Sequence, residues 1–81
     1  MKNLCALSDL EPGEGAVVSR LLSSGSIRRR LQDLGIIEGT YVECMLRSPG
    51  GDPCAYRIRG ATIAPRCDDA ENVIVSLSDN I

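Results

Sequence analysis

Apolar positions recur along this chain with two different periods, and Gly and Pro separate the stretches in which each period holds. Leu7-Ser8-Asp9-Leu10, followed by Glu11-Pro12-Gly13-Glu14-Gly15, reads as a short apolar turn and then a loop, with Leu7 and Leu10 facing the core. Ala16 to Leu22 carries β-branched residues in partial alternation and stops at Ser23-Ser24-Gly25, which predicts a first long strand. From Ser26 to Leu34 the period changes. Ile27, Leu31 and Leu34 fall at i, i+4 and i+7, and Gly35 stands where a left-handed residue ends a helix, so one short helix is expected there. On that helix Arg28 and Arg30 flank the apolar stripe while Arg29 points away from it, one turn before Asp33. The three arginines therefore cannot form one patch, and Arg30 can lay its stem along the core edge.

Glu38-Gly39 makes a turn, after which Thr40 to Arg47 alternates, with Val42, Cys44 and Leu46 on one face. A second alternating run, Pro53 to Arg59, follows Ser48-Pro49-Gly50-Gly51-Asp52 and places Cys54, Tyr56 and Ile58 on its apolar face. Joining the two faces requires Val42 opposite Ile58, Cys44 opposite Tyr56 and Leu46 opposite Cys54, because a slip of one residue would put arginines in the core. The same register sets Glu43 across from Arg57, an opposite-charge pair worth roughly 0.2 to 1 kcal/mol. Gly60 allows a bend, Ala61 to Ala64 is a short strand stopped by Pro65, and Cys67 to Glu71 reads as a turn. Asn72 to Leu77, with Val73, Val75 and Leu77 on one face, is the last strand. Five short strands and one helix are the inventory of a small, partly open barrel, in which closure would hide the sheet edges.

Length and composition narrow the function. Residues 1–81 make one mainly-β domain with a single small core, and the longest apolar run, Leu4 to Leu7, is far below the roughly 20 residues that span a bilayer. Ser8 and Asp9 end that run too soon for a signal-peptide core, which points to the cytoplasm. The formal charge is -2, and eight of the nine basic residues are Arg. Nucleic-acid binding normally shows a basic excess and aromatic stacking residues, whereas this chain has no Trp, no Phe and two Tyr. The absence of His removes the commonest general base and every Ser-His or Cys-His pair, so an enzyme is not expected.

Three groups of residues could still carry chemistry. Cys5, Cys44, Cys54 and Cys67 contain no C-x-x-C pair; free Cys is a common core residue, and Cys44 and Cys54 are the members that the register makes diagonal neighbours. Asp68, Asp69 and Glu71 form the acidic cluster, either a solvated turn or a site for a hard cation. Arg28-Arg29-Arg30 is either a solvated helix face or a docking surface for an acidic partner. Gly13-Glu14-Gly15 and Gly50-Gly51 lack the spacing and the Lys of a phosphate-binding loop.

The succession Arg30-Leu31, Asp33-Leu34-Gly35-Ile36, Glu38-Gly39-Thr40, Ser48-Pro49-Gly50-Gly51-Asp52-Pro53 and Arg59-Gly60 resembles the FeoA family, ferrous iron transport protein A. The resemblance runs in register from about Leu7 to Leu77. It implies an SH3-like barrel of five strands with one inserted helix, similar to the C-terminal domain of iron-dependent repressors. It further implies a non-catalytic cytosolic accessory protein of bacterial ferrous iron uptake, acting through the cytosolic part of the membrane transporter FeoB and recruited to the inner face of the membrane. The alternative that it leaves open is a stand-alone metal-binding protein, an iron chaperone or sensor, holding Fe(II) or another transition metal weakly through the cysteines or through Asp68, Asp69 and Glu71. No cofactor is implied, and the expected state is a monomer or weak homo-oligomer. Within the matching residues, Leu31, Leu34, Gly35, Gly39, Pro53 and Gly60 look like fold determinants. Arg30 and Asp52 are the polar members, and together with Arg29 they are the candidates for partner contact. Pro65 departs from the aliphatic residue the family more often has there, and the four cysteines are not a family hallmark.

Overall fold

The computed structural model describes residues 4–47 and 54–77. Along the chain run β1 (Leu4–Ala6), a 3-10 turn (Leu7–Asp9), β2 (Gly15–Leu21), α1 (Gly25–Asp33), β3 (Tyr41–Arg47), β4 (Cys54–Ile58), β5 (Ala61–Ile63), α2 (Cys67–Ala70) and β6 (Val73–Leu77). All six strands belong to one sheet in the order β1-β6-β2-β3-β4-β5, and every pairing is antiparallel.

The expected small five-stranded barrel is corrected in strand number and in shape. Leu4–Ala6 is a sixth strand, paired through Leu4↔Ser76, Cys5↔Val75 and Ala6↔Ile74. Among the described residues the sheet stays open: β1 and β5, each three residues long, lie at its opposite edges and do not pair with each other. Short edge strands limit unwanted strand addition without closure. The Cys67–Glu71 turn also proves to contain a short helix, α2, whose main chain is held by Asp69 and Ala70 N–H groups donating to the Arg66 carbonyl at 3.0 Å each.

One face of the sheet is buried. Val18 from β2, Val42 and Cys44 from β3, Cys54, Tyr56 and Ile58 from β4 and Val73 and Val75 from β6 pack there with Leu31 and Ile36 of the α1 region. Leu7 and Leu10 are fully buried at the 3-10 turn, and the Tyr56 hydroxyl donates to the Leu7 carbonyl at 3.3 Å, which satisfies both groups in the core.

The α1 helix ends where the sequence places its stop. Gly35 has φ +102° and donates to Gln32 O at 3.0 Å, while Ile36 N–H donates to Leu31 O at 3.0 Å. This is a Schellman cap, closed by the buried Leu31 and Ile36 side chains. Its apolar stripe is thinner than expected: Leu31 is buried, Leu34 half-buried and Ile27 exposed.

The β3–β4 register is as the alternation requires for Cys44↔Tyr56 and Glu43↔Arg57, and then departs from it. A bulge at Met45 shifts the partners to Leu46↔Ala55 and Arg47↔Cys54. Leu46, expected inside opposite Cys54, is turned outward and is 48% exposed. A bulge adds one residue to one strand and so reverses every side chain beyond it. Between β4 and β5 the chain reverses within two residues, Arg59 (φ 51°) and Gly60 (φ 83°), positive at both positions as in a type I′ hairpin turn.

Candidate functional site

Helix α1 is attached to the core along one side and presents its arginines to solvent. Arg28, Arg29 and Arg30 are all exposed. Gly25, Ser26, Arg29, Arg30 and Asp33 line an open cleft of about 480 Å³. Helical spacing explains the grouping, because Gly25, Arg29 and Asp33 succeed one another at i, i+4 and i+8, with Ser26 and Arg30 in the adjoining row. Arg28 falls outside the cleft lining. Two guanidinium groups beside an open cleft can take a carboxylate or phosphate oxygen through paired N–H donors, with Asp33 bounding the site at one end. Gly25 and Ser26 are not singled out by the sequence, and Asp33 is marked there only as lying one turn beyond Arg29; the spacing of four residues on either side of Arg29 is the available signal. Asp52 and Pro53 lie outside the described residues.

The acidic cluster does not form a cage. Asp68 and Glu71 are exposed and Asp69 half-buried, and Asp68 and Asp69 occupy the first turn of α2. The main-chain carbonyls of Asp68 and Asp69 accept from Asn72 Nδ2 at 3.5 Å and Asn72 N at 3.1 Å, so the segment is held by its own turn. Among the described residues, no group of three or more His, Cys, Asp or Glu side chains is placed to hold a metal ion.

Of the cysteines, Cys44 and Cys54 are buried and reduced, and Cys5 is half-buried. Burial pushes the Cys44 thiol up, the neighbouring Cys54 adds to that rise, and the Arg47 charge opposes it. Cys5 is likewise raised, by burial first and then by Asp9 and Glu14. Both are therefore less thiolate at neutral pH than an exposed cysteine, and less nucleophilic.

Among the described residues, an open six-stranded antiparallel sheet with an inserted helix that carries an exposed arginine cleft defines a small mainly-β module. Residues 5–77 match the model of the FeoA domain, and the chain belongs to the FeoA family, whose SH3-like fold also occurs in iron-dependent repressors. Over 71 residues it is 32% identical to a fusion of Fe(2+) transport protein A and Fe(2+) transporter FeoB from Porphyromonas gingivalis. That alignment covers 88% of this chain and 8% of the fusion, so the chain spans a small part of that relative's length. The solution structure of iron(II) transport protein A from Clostridium thermocellum superposes with a TM-score of 0.84 at 32% identity, covering 89% of this chain and 44% of that one. FeoA of Stenotrophomonas maltophilia, solved in complex with zinc, gives 0.76 at 31% identity over 86% of this chain and 87% of that one. Among the described residues no helix is long and apolar enough to cross a membrane.

Proposed function

We propose that this domain acts by docking on the cytosolic part of a FeoB-type ferrous iron transporter and modulating it, without catalysis of its own. The observation that carries the reading is the α1 cleft, where Arg29 and Arg30 stand exposed side by side with Gly25, Ser26 and Asp33. Its chemistry suits an acidic segment of the partner, whose carboxylates would pair with the two guanidinium groups. The relative in which a FeoA part and a FeoB part share one chain supports the choice of partner, since fusion keeps two interacting units at high effective concentration. Asp52 is a second contact candidate, and the working location is the cytoplasmic side of the membrane.

The test is a calorimetric titration of the domain with the soluble cytosolic part of the transporter. Arg29→Glu together with Arg30→Glu is expected to abolish binding while the thermal midpoint moves by no more than about 4 to 8 °C, the size of two surface changes away from packed features. Unchanged affinity in that double variant overturns the helix as the docking face; loss with Asp52→Lys alone would move the contact to the 48–53 segment.

A further inference from the structure

Cys44 and Cys54 face the core from neighbouring strands and are only 1% and 2% exposed. Cys44 is opposite Tyr56 and Cys54 opposite Arg47, so the two cysteines lie on neighbouring strands with the bulge between their ladder positions. No disulfide joins them. Two sulfurs that each lie about 2.3 Å from one ion are up to about 4.6 Å apart, a span that side chains on neighbouring strands, with Cβ atoms about 4.5 to 8 Å apart, can reach.

The bulge at Met45 prepares the same place. Unbroken alternation would put the Leu46 side chain on the inner face beside both thiols, and the bulge turns it out to solvent. The Leu46 carbonyl instead lies 3.8 Å from Cys44 Sγ. Arg47 stands opposite Cys54 in the ladder. Two thiolates and a monovalent cation leave one net negative charge, and the positive side chain on the adjoining strand position is Arg47, which is exposed.

The donor set selects the ion. Thiolates favour soft cations, and structural zinc sites need four protein ligands, more than the described residues bring together here. A monovalent thiophilic ion is satisfied by two. We propose that Cys44 and Cys54 form a buried two-coordinate thiolate site for Cu(I), independent of the docking surface on α1. On binding, each thiol releases its proton to solvent, each sulfur makes one bond to the ion, and copper remains Cu(I) throughout.

The experiment uses the reduced full chain under anaerobic conditions, titrated with Cu(I) as its acetonitrile complex against a chromophoric Cu(I) chelator. The expected result is one Cu(I) per chain, two sulfur neighbours by X-ray absorption, and amide shifts centred on residues 44–47 and 54–56. Cys44→Ser and Cys54→Ser should each weaken binding by more than the roughly 100-fold that losing an outer-shell partner costs, while Cys5→Ser and Cys67→Ser leave it unchanged. A core serine can unfold so small a domain, and the wild-type amide shifts decide the matter without it. Shifts confined to Cys5 or Cys67, a copper shared between two chains, or failure to compete with the chelator would each overturn the site.

Discussion

Helix α1 and strand β4 are two ways of using a short segment. Of the nine residues of α1 only Leu31 is buried, whereas three of the five in β4 are, and Tyr56 adds a hydrogen bond to Leu7, 49 residues away in the chain. Burial stabilises by roughly 25 cal/mol per Å² of apolar surface, so β4 holds the fold together while α1 is held by one anchor and a cap. The difference teaches where this domain can change. Charges on α1 can be rearranged for a partner at little cost in stability, and changes in β4 reach the core at once.

That contrast can be broken or sharpened by substitution. Tyr56→Ala should cost about 3 to 5 kcal/mol in denaturant unfolding, the range for deleting a buried aromatic ring; a loss below about 1 kcal/mol would mean β4 is not the keystone. Gly35→Ala puts a side chain at φ +102° against the Ile58 methyl, 3.4 Å away, and is expected to cost about 1 to 2 kcal/mol. It tests whether the cap is what fixes α1 to the sheet. Ser23 Oγ, just before α1, is buried with no hydrogen-bond partner, so Ser23→Ala should raise stability by about 1 kcal/mol. An unchanged or lowered midpoint would show that the hydroxyl is satisfied in solution. Arg28→Ala, on α1 but outside the cleft, should stay within about 0.5 kcal/mol and leave transporter binding intact; lost binding would extend the docking face around the helix.

Much of the sheet was legible in the residues, because alternation carries register. Val42, Cys44, Tyr56 and Ile58 are apolar at every second position, and that was enough to pair Cys44 with Tyr56 and Glu43 with Arg57. Beyond Met45 it failed, since a bulge is a backbone event and Met45-Leu46-Arg47 has no Gly or Pro to announce it. β1 was missed for a different reason: Leu4–Ala6 is too short to alternate, and its strand character comes from the β6 edge that receives it. Without β1, five strands suggested closure. On α1, helical phase separated Arg29 from Arg28 correctly but did not show that Arg29 and Arg30 border one cleft, which depends on the open space beside the helix.

The pairing of β1 with β6 has a mechanical meaning. Leu4 lies opposite Ser76, so the chain enters and leaves at the same end of one antiparallel ladder. A pull across residues 4 and 77 would therefore load those hydrogen bonds one after another, each worth about 0.5 to 1.5 kcal/mol net, instead of all at once in shear. Such a ladder unzips under modest tension. Joined in line between other parts of a longer polypeptide, the domain would yield first at β1, leaving β2 to β5 and the arginine cleft still folded on the remaining sheet.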